Sequence, residues 1–249
     1  MQVLDPNIQQ FAQLDSTNTY LKKNAFSLPG GHCVLAHSQT AGRGRQGKIW
    51  QDAPGDTLSL SFLLRPVELA TVSFLPLLCG LATGAAIQAL CGADWRIKWP
   101  NDLLVGDKKV CGILCEGIAG PESAAVCGIG VNLGQKAEYF ARRQLPYATS
   151  LLVESGKKLV PLTLAQQIVA QADALLVTAS TQGAEPLLGQ YRRRCATLGR
   201  QVRVLTDAGQ QTGRAVDIMA DGSLLVEIGG RRQIIRSGEA SVRGLYGYV

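Results

Sequence analysis

Between Glu68 and Asp94 no residue carries a charge. A stretch of this kind has to leave water, either into a membrane or into a protein core. A membrane span needs about 20 strongly apolar residues. This one contains Pro76, Thr83, Gln88 and several Gly and Ala, so it reads as a core helix over Ser73–Leu90. Pro76 falls in the first turn, where a missing N–H costs little. The chain has 249 residues, and domains cluster at roughly 100–150, so it holds one large domain, or one with a small companion. Apolar residues at 46% and charged residues at 18% exclude disorder. The start, Met1-Gln2-Val3-Leu4-Asp5-Pro6, lacks the basic-then-apolar pattern of a signal peptide. Seven cysteines, an odd number, sit among apolar neighbours. Together these predict reduced thiols and a cytoplasmic location. Cys111-x-x-x-Cys115 lies on an apolar strand pattern without zinc-finger spacing, and His32 and His37 are the only histidines. No direct metal ligands are expected.

Around the core helix the pattern alternates between strands and helices. Strands are predicted at His32–His37, Leu58–Leu63, Trp95–Lys98, Leu103–Val105, Val110–Glu116 and Ser123–Val131, and helices at Thr19–Asn24, Leu162–Ala179 and Ala184–Cys195. Ser38–Gly55 is a long polar loop. The texture then changes. Gln201–Leu205, Gly213–Ile218, Ser223–Ile228 and Arg232–Arg236 are short strands with turns at Asp207-Ala208-Gly209, Ala220-Asp221-Gly222 and Gly229-Gly230. That spacing suggests a small β-barrel. The expected domains are 1–195 and 196–249. The net charge of +6 is uneven: Tyr191–Val249 has ten Arg against five Asp or Glu. An acidic partner, nucleic acid or protein, would suit it.

Gly42-Arg43-Gly44-Arg45-Gln46-Gly47 matches the dinucleotide fingerprint literally. The fingerprint requires a helix directly afterwards. Lys48-Ile49-Trp50-Gln51-Asp52-Ala53-Pro54-Gly55 is no helix, so that reading fails. Three glycines interleaved with Arg43, Arg45 and Lys48 instead suit a loop that wraps a polyphosphate with backbone N–H groups and guanidinium forks. Arg43 and Arg45 should repel each other until an anion arrives.

A second cluster follows. Lys98-Trp99-Pro100-Asn101-Asp102 places charges of both signs and an amide at a strand–turn junction. Lys109-Val110-Cys111-Gly112-Ile113-Leu114 opens at a hairpin shoulder. Gly128-Ile129-Gly130-Val131-Asn132 ends a strand. With Ser16-Thr17-Asn18 and Gln39-Thr40-Ala41 ahead of the glycine loop, this order resembles the biotin–protein ligases over nearly the whole chain.

The resemblance implies an α+β catalytic domain with a mostly antiparallel sheet and a C-terminal SH3-like β-barrel. It implies activation of biotin by ATP, with Mg²⁺, to biotinyl-5′-AMP, and transfer to a lysine of a biotin carboxyl carrier protein. Arg45 and Lys109 would be catalytic. Biotin would meet Ser16, Thr17, Asn18, Gln39, Arg43, Gly44, Arg45, Lys109, Gly112 and Gly128. The nucleotide would meet Arg43, Arg45, Trp50 and Asn132. Lys98, Asn101 and Asp102 are further candidates, Asp102 for metal or for the carrier lysine. Gln46 stands where the family commonly has another Arg. Lys109 and Gly112 are three apart, so they face one ligand only if Lys109 sits in the turn or a bulge intervenes. About fifteen residues precede Ser16, too few for the DNA-binding domain some relatives carry, so a single-function enzyme is expected, acting without DNA or membrane and compatible with a homodimer. Two alternatives stay open: a lipoate–protein ligase, and a nucleic-acid-binding module built on Arg192-Arg193-Arg194, where Tyr191, Tyr246 and Tyr248 are the nearby aromatics.

Overall fold

The computed structural model describes residues 2–120, 122–206, 209–237, 241–244 and 248. Pro121, the expected turn at Asp207 and Ala208, and Tyr246 lie outside them. Strands β1 (Ile8–Phe11), β2 (Cys33–Ala36), β3 (Thr57–Leu64), β4 (Trp95–Lys98), β5 (Asp102–Val105), β6 (Lys108–Ile118) and β7 (Ala124–Asn132) form one sheet in the order β1-β2-β3-β7-β6-β5-β4. The β1–β2 pair is parallel and the others are antiparallel. The helices are α1 (Thr17–Lys23), α2 (Leu75–Cys91), α3 (Ala137–Arg142), α4 (Leu151–Ser155), α5 (Pro161–Gln182) and α6 (Glu185–Arg194). A second sheet follows, made of β8 (Gln201–Thr206), β9 (Gly209–Ile218), β10 (Leu224–Ile228), β11 (Arg231–Ile235) and β12 (Ser241–Gly244) in the antiparallel order β11-β10-β9-β8-β12. The fold is α+β, as the resemblance implied.

The uncharged stretch is the core helix. Its first turn holds Pro76, and Gly92 ends it at φ 74°, a left-handed cap that a side chain would strain. Helix α5 packs on it through Leu164, Ala165, Ile168, Val169 and Ala172, all buried. By length and composition α5 is the one helix among the described residues able to cross a membrane. The buried stripe instead gives it a place in the core.

Strand β3 explains how the sheet makes a pocket. Alternation puts Leu58, Leu60, Phe62 and Leu64 into the main core under α2 and α5. Thr57, Ser59 and Ser61 point the other way. The neighbouring strands repeat the scheme: Cys111, Ile113, Cys127, Ile129 and Val131 join the core, while Gly112, Gly128 and Gly130 fall on the far face. Large residues on one face and small ones on the other leave a hollow over β3, β7 and β6. Helix α1 and the Ser38–Gly55 loop close over it.

The second sheet is not a free appendage. Its Val202, Val204, Ala215, Leu224 and Val226 belong to the same buried cluster as the first sheet. Trp99, 1% exposed, donates from Nε1 to Gly222 O at 3.0 Å, and its backbone N–H donates to Thr197 Oγ1 at 3.0 Å. Arg192 reaches Asp217 and the Ile218 carbonyl at 2.9 and 2.7 Å. The Arg192 guanidinium is therefore a tie between α6 and β9.

Candidate active site

The hollow is a cavity of about 670 Å³. One end is built from small polar groups. Ser16 is the N-cap residue of α1, and Thr17 and Asn18 open its first turn, all buried. Gln39 Oε1 accepts from the Thr17 backbone N–H at 2.8 Å and from its hydroxyl at 3.2 Å. Ser61 Oγ lies 2.7 Å from both Thr17 Oγ1 and Asn18 Oδ1 and shares its proton between them. The Asn18 amide donates to Leu114 O at 3.1 Å and to Glu116 Oε2 at 3.0 Å. Helix α1 is thus locked to β3, β6 and the loop after β2 through its first turn.

Glu116 was not anticipated from sequence. It pairs with Lys22 at 2.8 Å and Arg43 at 3.3 Å. Burial pushes its carboxyl up, but Lys22, Asn18 and Arg43 outweigh this and hold it below the usual carboxylate range. Ser61 was also missed: in sequence it is one serine in an alternating strand, and only the fold shows its two partners.

The other end is cationic. Leu103 pairs with Cys111, but Leu104 pairs with Lys109, so Val110 is an extra residue in β6. This is the bulge that the Lys109–Gly112 spacing requires. It brings Lys109, Asp102 and Gly112 to one face, where Lys109 Nζ lies 2.6 Å from Asp102 Oδ1. Tyr248 Oη donates to the other Asp102 oxygen. Lys98 Nζ stands 3.5 Å over the Tyr248 ring, which stacks on Tyr147 at 5.5 Å. Burial raises the Asp102 carboxyl, and Lys109, Tyr248 and Lys98 together bring it below the usual range.

The glycine loop lies across the mouth. Gly44 N–H donates to Lys48 O at 2.7 Å, and Trp50 N–H to Gly42 O at 3.0 Å. Residues 45–47 form a single 3₁₀ turn. Arg45 donates to Asn101 Oδ1 at 2.9 Å and to the Ser237 carbonyl of the second sheet's last loop. Burial depresses the Arg45 pKa, against the pull of Asp102. Arg43 turns to Glu116 instead. The expectation that the two arginines stay in mutual repulsion until an anion arrives is therefore corrected: each already has its own oxygen partners, at opposite ends of the cavity.

The glycines make room for side chains. A Cβ at Gly128 would lie 2.1 Å from Asn18 Oδ1, and one at Gly130 would lie 2.5 Å from Trp50 Cε2. Trp50 also covers Gly112, and its Nε1 is buried with no hydrogen-bond partner among the described residues. Of the residues expected at the ligands, Ser16, Thr17, Asn18, Gln39, Arg43, Gly44, Arg45, Trp50, Lys98, Asn101, Asp102, Lys109, Gly112 and Gly128 line the cavity. Asn132 does not. Its amide donates to Thr149 O at 2.9 Å at the end of β7.

The family described as Biotin/lipoate A/B protein ligase matches residues 10–132, and the Biotin protein ligase C terminal domain matches 197–243. The biotin–[acetyl-CoA-carboxylase] ligase of Paracoccus denitrificans is 35% identical over 94% of this chain and 99% of its own length. That of Mycobacterium tuberculosis is 34% identical over 92% and 86%. The chain spans 63% of the bifunctional ligase/repressor BirA of Bacillus spizizenii, at 34% identity over 81% of this chain. The biotin protein ligase of Aquifex aeolicus in complex with biotin and ATP superposes with a TM-score of 0.82 at 29% identity, covering 96% of this chain and 99% of that one. With its cavity between a polar helix start and a bulged, cationic hairpin, the chain belongs to the biotin protein ligases of the Biotin/lipoate A/B protein ligase family.

Proposed function

We propose that this chain activates biotin with ATP to biotinyl-5′-AMP and transfers the biotinyl group to a lysine of a biotin carboxyl carrier protein. The observation that carries the reading is the bulge that sets Lys109 beside Asp102 on the cavity floor, facing the Arg45 loop. In the first step a biotin carboxylate oxygen bonds to the α-phosphorus, and the bond to the pyrophosphate oxygen breaks. Both reactants are anions. Fixed cations offset the repulsion best when they are placed beforehand. Asp102 holds Lys109 in place, and Arg45 is held through Asn101. The compact polar end at Thr17, Asn18 and Gln39 suits the ureido head of biotin, and the unpartnered Trp50 indole N–H suits a nucleotide.

In the second step the carrier lysine's amine attacks the acyl carbon and AMP leaves. Asp102 stays ionised at neutral pH, which makes it a weak proton acceptor and a good guide for an incoming ammonium. Mg²⁺ is usually bound through one or two carboxylates plus substrate phosphates. Lys109 and Tyr248 already face the two Asp102 oxygens, so Asp102 is no ready cage for the ion. The ATP phosphates would hold Mg²⁺, whose charge would help offset theirs.

The five-stranded C-terminal sheet serves as the SH3-like domain, and its excess of Arg attracts an acidic carrier. The enzyme works in the cytoplasm without DNA or membrane, and dimerisation is read by sedimentation. The lipoate alternative is disfavoured because the biotin-ligase matches extend over both sheets. The test of the first step is pyrophosphate release on mixing pure protein with ATP, Mg²⁺ and biotin. Release that requires biotin is expected, and no release refutes the proposal.

A further inference from the structure

Behind the cavity floor, on the opposite face of the same sheet, three thiols converge. Cys79 lies on α2, Cys115 on β6 and Cys127 on β7. Cys115 and Cys127 are direct partners in register. Their side chains share the α2 face, while their neighbours Leu114 and Gly128 line the cavity. The three Sγ atoms all lie within 4.8 Å of one another. Two other buried thiols are satisfied locally: Cys33 donates to Gly31 O at 3.3 Å and Cys91 to Ile87 O at 3.1 Å. Cys79, Cys115 and Cys127 face one another instead. Among the described residues no histidine or carboxylate joins them.

We propose that Cys79, Cys115 and Cys127 form a binding site for one thiophilic d¹⁰ cation, copper(I) in preference to zinc(II). Metal–sulfur bonds of about 2.3 Å place three coplanar sulfurs about 4 Å apart, so closure asks each thiol to move by about 0.5 Å or less. Structural zinc takes four ligands, and three are gathered here. Soft sulfur donors select copper(I). Charge points the same way. The site is in an apolar core, where net charge is costly. Copper(I) is neutralised by one thiolate beside two neutral thiols, whereas zinc(II) needs a second buried thiol to ionise before the site is neutral. Loading releases one proton to solvent as the thiolate sulfur bonds the cation. Cys115 is only half-buried and gives the cation its way in.

The test uses the copper(I)–bicinchoninate complex as donor, with reduced protein under anaerobic conditions. Wild type is expected to withdraw one equivalent per chain. Cys115→Ala should lower the affinity more than about a hundredfold, since even outer-shell changes cost up to that. Cys91→Ala should leave it unchanged. Cadmium(II) gives a second readout, a sulfur-to-metal charge-transfer absorption lost in the same variant. Should circular dichroism show Cys115→Ala unfolded, Cys79→Ala takes its place. A wild type that takes no copper(I), or a folded variant that takes it equally well, overturns the site.

Discussion

Gly128→Ala is the sharpest perturbation the structure offers. The added Cβ would lie 2.1 Å from Asn18 Oδ1 and 2.8 Å from Asn18 Cγ. Relief requires the amide to retreat by about 1 Å, because contacts this short are strongly repulsive. Asn18 cannot retreat without loosening its bonds to Ser61, Leu114 O and Glu116. Two of these are neutral, at about 1 kcal/mol each, and one is to a charged group, at about 1.5–3 kcal/mol. Partial re-formation leaves a net cost of roughly 2–3 kcal/mol, which a urea midpoint reads at unchanged slope. The same shift moves Thr17 and Asn18 at the proposed biotin end. Each 1.4 kcal/mol is tenfold in binding, so biotin affinity should fall roughly 10- to 100-fold by calorimetry. The decisive control is the double mutant. With Asn18→Ala already in place the new methyl has room, and Gly128→Ala should then cost little. An equal cost in both backgrounds would refute the reasoning.

Three more outcomes follow from the cationic end and the nucleotide wall. Lys109→Ala should slow adenylate formation most, whereas Arg45→Gly should still form adenylate but release it, since Arg45 is on the loop across the mouth. Paired single-turnover rates of formation and release separate the two, and an Arg45→Gly enzyme that retains adenylate as wild type does counts against the lid role. Gly130→Ala puts a methyl 2.5 Å from the Trp50 ring, so it should raise KM for ATP several-fold more than KM for biotin, read by steady-state kinetics. Asp102 and Glu116 are held below their ordinary values, about 3.9 and 4.3 in an unfolded chain. Their stabilisation is complete above those values and is lost as pH falls through the folded ones. Urea midpoints should drop over that acid range, and Asp102→Asn should flatten the drop.

The sequence carried the chemistry better than the placement. The glycine loop, the Lys98–Asp102 turn and the Lys109 shoulder are short, local patterns, and all of them meet at the cavity. The bulge at Val110 could be inferred as a condition because period-two alternation made the Lys109–Gly112 spacing inconsistent without it. Other features had no local signal. Strand β1 is four residues with two Gln, and strand β12 is four residues near the end; each exists because a neighbour pairs with it. Glu116, Ser61 and Tyr248 act through partners 43 to 146 positions away. Such contacts leave no spacing to read. The thiol cluster was invisible for the same reason, since Cys79, Cys115 and Cys127 come from three separate elements and share no sequence spacing.

The central claim is that this cavity joins biotin to a carrier lysine through an acyl-adenylate. The most direct measurement offers purified protein, ATP and Mg²⁺ with equal biotin and lipoate to a biotin-accepting carrier domain, and reads the intact mass of the carrier. The account predicts that wild type adds one biotinyl group, that lipoyl addition is negligible, and that substituting the acceptor lysine abolishes the product. Lipoyl addition in preference to biotinyl, or a carrier that stays unmodified while pyrophosphate is released, would contradict it.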